Sequence, residues 1–259
     1  MKTAVNKLAS KLGYSISRIH SEDQSRAASP LEWFHSDHYL RHNSRRLEHL
    51  ASLGIPVEGK RVLEVGAGIG DHSSYYLDRG CDVTITEARP ENIAILKSRF
   101  PDQHVFPLDL DRPTAIPGTP FDVVHSYGLL YHLQAPEQAL QFMSENCSGI
   151  LFLETCVSFG AEAAVNLVGE PQRDPTQAYS GEGCRPTRSW VFGTLQKLFP
   201  NVYVTVTQPN HEEFPLDWNS PEKHKTKHGL QRSVFVASRE AIQNESLSKT
   251  LLNIQIRAF

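Results

Sequence analysis

Four short segments carry residue types that could do chemistry together. Gly66-Ala67-Gly68-Ile69-Gly70 follows the short apolar run Arg61–Val65. Glycine at alternate positions lets a chain turn sharply and leaves no Cβ between backbone and ligand. Glu87 lies 22 residues after Val65, the separation at which a carboxylate can grip a ribose diol. In Asp109-Leu110-Asp111 an acid precedes an apolar side chain, a pair able to accept from an adenine amino group and cover its ring. Finally, Tyr127-Gly128-Leu129-Leu130-Tyr131-His132-Leu133 offers a candidate general base, His132. Tyr127 and Tyr131 beside it could orient an acceptor or line its pocket.

The spacing discriminates between nucleotide classes. A dinucleotide turn reads GxGxxG and needs its third glycine at position 71, where this chain has Asp71. A carboxylate at the start of the following helix also opposes a pyrophosphate there. A phosphate-free nucleoside that carries a sulfonium tolerates such acids. The competing plain reading is a tight strand-to-helix turn that binds nothing.

The elements needed to position these residues are legible as an alternation. Arg61–Val65 reads as a strand, followed by a helix through Tyr75 and Leu77 that stops at Arg79-Gly80. Residues 82–86 form a second strand. Pro90 opens a helix running to Phe100, and 104–108 is a weak third strand. Residues 121–126, a helix over 135–145, and the nearly all-apolar strand 149–157 complete the series. Buried parallel strands need such apolar runs because helices cover both faces. The fold class is therefore α/β, a Rossmann-like doubly wound sheet, and ligands of such sheets bind at the carboxyl ends of the strands. A helix over 187–199 and strands at 201–207 and 233–238 close the domain. Residues 1–54 read as an arm with a helical cap, one helix over 31–53. Residues 55–240 form the binding domain, with insertions at 158–186 and 208–230, and 241–259 are a tail.

Taken in order, Val62-Leu63-Glu64-Val65-Gly66-Ala67-Gly68-Ile69-Gly70, Glu87, Asp109 and Phe121-Asp122-Val123-Val124-His125-Ser126 resemble the class I S-adenosylmethionine-dependent methyltransferase family. The resemblance covers about residues 55–160. It implies a seven-stranded, mostly parallel sheet with an antiparallel last strand, and S-adenosylmethionine as cofactor. It places Glu64 and the Gly66, Ala67 and Gly68 backbone at the methionine part of the cofactor. It gives Glu87 and Ala88 to the ribose, Asp109 and Leu110 to the adenine, and Ser126 to the neighbourhood of the sulfonium. From Tyr127 onward, Gly128-Leu129-Leu130-Tyr131-His132, Phe152-Leu153-Glu154-Thr155 and Arg232-Ser233-Val234-Phe235-Val236-Ala237-Ser238-Arg239 are similar to the subgroup that includes enzymes alkylating the wobble uridine of tRNA, and methyltransferases of sugars and small metabolites.

On the acceptor side, Gly183-Cys184-Arg185-Pro186-Thr187-Arg188-Ser189-Trp190 suggests arginines at a helix start. A cation there opposes the dipole, so Arg185 and Arg188 are read as ligands for an anion on the acceptor, or else as partners of Glu170, Asp174 or Glu182. Phe214 and Trp218 are candidate lid residues, and Arg41, Arg45 and the aromatics of the first helix could close over the cofactor. Around His125, His132 and Glu154 there is no zincin-type pair or Cys/His cluster, and no metal is expected.

Composition sets outer limits. Of 259 residues, 39% are hydrophobic and 21% charged, enough for a sizeable core. The net charge of −3 argues against an extended nucleic-acid footprint. No apolar run reaches the roughly 20 residues that span a bilayer. The first 13 residues carry Lys2, Lys7 and Lys11 without an apolar core, unlike a signal peptide. The four cysteines have no CxxC spacing and read as free thiols in a reducing cytoplasm. The leading expectation is a methyltransferase acting on an O or N atom of a small molecule or glycan unit. The alternatives are an RNA-modifying enzyme using Lys223, Lys225, Lys227 and Arg232 as a basic surface, and a non-catalytic cofactor-binding protein.

Overall fold

The computed structural model describes residues 29–221, 224 and 229–259. Its strands are β1 (Arg61–Val65), β2 (Asp82–Glu87), β3 (His104–Pro107), β4 (Phe121–Tyr127), β5 (Cys147–Cys156), β6 (Val165–Gly169), β7 (Glu182–Pro186), β8 (Asn201–Thr205), β9 (Thr207–Gln208), β10 (Arg232–Ser238), β11 (Leu247–Ser248) and β12 (Ile256–Arg257). The helices are α1 (Pro30–Phe34), α2 (Asp37–Ser52), α3 (Ser73–Leu77), α4 (Pro90–Arg99), α5 (Pro136–Glu145) and α6 (Arg188–Leu198). Proline at the first position starts α1, α4 and α5, where its missing N–H costs nothing. Thr187 caps α6 by accepting from the Trp190 N–H.

Alternate side chains of a strand point to opposite faces, and here both faces are buried. Leu63, Val124, Leu151, Leu153 and Phe235 enter one apolar cluster. Their neighbours Val62, Val123, Phe152, Val234 and Val236 enter the other. This two-sided burial is why the central strands are apolar along their whole length. The main sheet runs β3-β2-β1-β4-β5-β10-β8, with β11 added at the β8 edge. Strands β1 to β5 pair in parallel. β10 lies antiparallel between β5 and β8. The seven expected strands are present, and the antiparallel one is the last of the seven in the chain. Phe235→Ala is expected to destabilise the protein by about 3–5 kcal/mol, because it opens a cavity at a fully buried site. Chemical denaturation measures this, and a loss below about 1 kcal/mol would mean the two-cluster core is misdescribed.

Four readings change. The single cap helix is two, α1 and α2, because Ser36 is extended (φ −64°, ψ 150°) and starts α2 afresh. The 158–186 insertion contains the antiparallel ribbon β6–β7. The strand read over 201–207 ends at Thr205, and Thr207–Gln208 pairs instead with β12. The tail is integrated, since β11 pairs with β8 and β12 with β9. The arm before residue 29, and Lys223, Lys225 and Lys227, lie outside the described residues. Arg232, grouped with those lysines as a surface cation, is buried. The four cysteines are buried free thiols. Among the described residues no helix is long and apolar enough to cross a membrane.

Candidate active site

The carboxyl ends of β1, β2 and β4 open onto one cleft, with about 1010 Å³ of empty space including its mouth. Glu64, Gly66, Ala67 and Gly68 border it from the turn after β1, Glu87 and Ala88 from the end of β2. Asp109 and Leu110 border it after β3, and Tyr127, Tyr131 and His132 after β4. The four expected segments therefore converge on one cavity.

The turn is built around its acids. Glu87 accepts the Gly68 N–H at 2.9 Å and the Arg89 N–H at 2.9 Å, which ties the glycine turn to the end of β2. Burial pushes the Glu87 carboxyl above its usual range. Glu64 accepts from Ser73 Oγ at 2.5 Å, and burial pushes it up to about 7. Asp109 accepts the Asp111 N–H at 3.0 Å, an Asx turn that fixes the loop. The glycines differ in duty. Gly70 has φ +83°, and a Cβ there would meet the Phe100 ring at 2.4 Å. It serves the packing of the turn on α4 and does not border the cleft.

His132 sits on a single 3-10 turn (Leu130–His132) and is buried. Its Nδ1 lies 2.5 Å from Glu170 Oε2. Glu170 is fixed by the Ala178 N–H at 2.8 Å and the Arg185 guanidinium at 2.9 Å. Burial would raise the Glu170 carboxyl, but His132, the Ala178 N–H and Arg185 together bring it down to about 2. His132 is held below the ordinary imidazole value by burial, against the pull of Glu170. A neutral ring beside a carboxylate carries its proton on Nδ1, so Nε2 presents a lone pair. This is the arrangement of a general base with an orienting acid.

Tyr127 Oη is buried without a partner, whereas Tyr131 Oη accepts from Arg232 at 3.0 Å. Burial raises both phenols, so they stay protonated, and both line the cleft. Behind them runs a buried chain of charges: Arg46 to Glu154 at 2.8 Å, Glu154 to Arg232 at 3.1 Å, and Arg232 to Glu213 at 2.7 Å.

Other expected residues stand elsewhere. Ser126 is fully buried with its Oγ unpartnered, and does not border the cleft. The strand's two-residue period turns His125 and Tyr127 toward the cleft and Ser126 away. Arg185 lies on β7, not at a helix start, and its partners include Glu170 and the Tyr131 carbonyl. Arg188 is buried in the first turn of α6, where it donates to the Leu252 carbonyl at 2.9 Å and stacks on Trp218 at 3.9 Å. Trp218 Nε1 donates to Gln255 at 2.7 Å. Together these two secure the tail and do not border the cleft. Phe214 is core. Arg41 pairs with Glu212 and Arg45 with Glu48. The cap residues that do reach the cleft are Phe34, Tyr39, Asn43 and Arg46, and the Phe34 ring lies over Gly68.

His125, His132 and Glu154 form no common set. His125 meets His72 at 3.2 Å and Tyr76 at 2.9 Å, and Glu154 pairs with arginines. Sequence reasoning missed Arg46, His72 and Arg89; it named Glu170 as a partner for the arginines, as Arg185 shows, but not for His132. Arg46 was within reach, since it falls four residues before Leu50 on the buried face of α2.

The geometry finds its counterpart among known proteins. A methyltransferase-domain family model matches residues 35–190, more than half of the chain. The chain belongs to the methyltransferase family. It is 27% identical over 248 residues to a tRNA U34 carboxymethyltransferase of Vibrio atlanticus, covering 87% of this chain and 71% of the relative. Among solved structures, it is similar to the N-terminal domain of EvdMO1 with S-adenosylhomocysteine bound (TM-score 0.59, 19% identity, covering 93% and 98% of the two chains). It is also similar to the 1,6-didemethyltoxoflavin-N1-methyltransferase of Burkholderia thailandensis (TM-score 0.52, 17% identity, 93% and 90%). The cofactor of this methyltransferase is S-adenosylmethionine. The site suits it: the turn is bare at Gly66 and Gly68, Glu87 ends the neighbouring strand β2 and Asp109 follows β3, and the buried His72 Nε2 beside the turn has no partner.

Proposed function

We propose that this methyltransferase moves a methyl group to an oxygen or nitrogen atom of a small molecule or glycan unit. The observation that carries this reading is the His132–Glu170 hydrogen bond at 2.5 Å in the cleft that holds the glycine turn. When bound, S-adenosylmethionine supplies an electrophilic methyl on a sulfonium, and alignment provides much of the rate. Glu64 and the Gly66–Gly68 backbone hold its methionine part, Glu87 its ribose and Asp109 with Leu110 its adenine. His132 Nε2 takes the proton of the acceptor, and Glu170 keeps the ring in the required tautomer. Tyr39, Tyr131 and Tyr179 line the cleft with flat faces suited to a sugar or a ring.

The Vibrio relative's name supports a second reading, a tRNA substrate. A panel of hydroxyl and amine acceptors, plus tRNA, incubated with labelled S-adenosylmethionine separates the two. Label in small acceptors is expected. Label in tRNA alone rejects the proposal, and binding without transfer to any acceptor favours a non-catalytic role.

Glu64 gives a pH test. Its carboxyl stays neutral up to about 7, so below that pH a cationic cofactor meets an uncharged acid. S-adenosylmethionine affinity is expected to rise with pH toward about 7 and level off above it. Glu64→Gln should abolish this rise, and an equal slope in calorimetry of both proteins would remove Glu64 from the cofactor site.

A further inference from the structure

On the cap, outside the residues that border the cleft, three donors face one another and a fourth stands beside one of them. His38 and His42 stand four residues apart on α2, so both lie on one side of that helix. His211 and Glu213 come from the segment after β9. The donor atoms of His42, His211 and Glu213 all lie within 4.8 Å of one another, and the three residues are buried. His42 Nε2 is 3.8 Å from Glu213 Oε2, and His38 Nε2 is 3.6 Å from Glu213 Oε1. Nitrogen and oxygen donors about 2.0–2.2 Å from a tetrahedral ion stand roughly 3.3–3.5 Å apart, so a small contraction suffices. His42 Nε2 and His211 Nε2 have no hydrogen-bond partner. A buried imidazole nitrogen without a partner is costly unless something else binds it.

We propose that His42, His211 and Glu213, with the half-exposed His38 as fourth donor, bind a divalent transition metal of the zinc class. Two neutral imidazoles and a carboxylate, completed by a third imidazole, match the ligand preference of that ion. Burial holds His42 and His211 below the ordinary imidazole value, so they are unprotonated at neutral pH, as ligation requires. His38, with a side chain 41% exposed, gives the ion its way in.

The surroundings share the charge. Arg232 Nε donates to Glu213 Oε2 at 2.7 Å, so the oxygen nearest His42 is shared with the guanidinium while Oε1 stands on the His38 side. Arg46 and Arg232 oppose a cation, while Glu154, Glu212 and Glu213 favour it. The Glu213 N–H reaches His211 Nδ1 at 3.3 Å, which puts the ring proton on Nε2. Coordination through Nε2 moves that proton to Nδ1 and gives up this long contact. The consequence is a clamp, because α2 carries Tyr39, Asn43 and Arg46 into the cleft. A metal would fasten that wall to the segment whose Glu213 holds Arg232 against Tyr131.

The test is titration of the chelator-stripped full chain with zinc by calorimetry, and with cobalt(II) by visible absorption. One equivalent, an intense four-coordinate cobalt band and a raised melting temperature are expected. The double variant His42→Gln/His211→Gln should lose at least about 100-fold in affinity, as removal of two ligands requires. Equal zinc affinity in both proteins, or a weak six-coordinate cobalt spectrum in the unaltered chain, would overturn the proposal. Should the double variant fail to fold, His38→Ala decides, since that side chain is exposed. It should weaken zinc binding about 10-fold and dim the cobalt band, and no change in either would count against the site.

Discussion

Replacing Gly68 by valine is expected to weaken S-adenosylmethionine binding by at least about 100-fold, or roughly 2.7 kcal/mol. Two effects act together. Gly68 has φ +59°, a left-handed conformation that costs an L-residue about 1–2 kcal/mol and a β-branched one more. A Cβ there would also stand 2.9 Å from the Phe34 ring, so the added side chain takes space between the turn and the cap. The Gly68 N–H, which donates to Glu87 at 2.9 Å, would be displaced with it. Isothermal calorimetry with S-adenosylmethionine measures the effect. The melting temperature of the ligand-free variant separates lost contact from lost fold, and Gly68→Ala should fall between the two. Unchanged affinity in the valine variant would reject the placement of the cofactor at this turn.

His132→Ala is expected to lower turnover by about 10²–10⁴-fold while leaving S-adenosylmethionine affinity within about twofold, the range associated with a positioned general base. The pH profile adds a signature. An imidazole acting as base is active when neutral, so kcat/KM should fall as pH drops through its value in the free enzyme. Burial places that limb below the ordinary 6.5. Glu170 pulls the histidine upward, against burial. Glu170→Gln should therefore move the acid limb to lower pH and also reduce turnover, because the tautomer is no longer dictated by a carboxylate. A structural role alone would not shift that limb. Equal turnover of His132→Ala and the unaltered enzyme, on the acceptor found in the panel, would leave His132 as packing.

Local patterns carried the binding half of the molecule. Gly66, Gly68 and Asp109 follow short strands and Glu87 ends one, and parallel pairing brings such strand ends to one edge. Spacing along the chain thus translates directly into proximity at the cleft. The apolar run of β5 announced two-sided burial, and Thr187 its cap, for the same reason: each depends on neighbours a few residues away.

The His132 side of the cleft was decided by contacts between distant segments. Glu170 reaches His132 across 38 residues only because the β6–β7 ribbon folds over the 3-10 turn. Arg188 and Trp218, with the composition of an anion clamp and a lid, are drawn off by Gln255 and the Leu252 carbonyl of the tail. Ser126 points the other way because strand period assigns it to the opposite face. His38 and His42 are four residues apart on one helix, but their companions His211 and Glu213 come from far downstream. Periodicity reports which face a side chain occupies, whereas packing of remote elements decides what that face meets, and so the chain's own order brought the glycine turn and the acids to one cleft while only the folded structure chose the groups around His132.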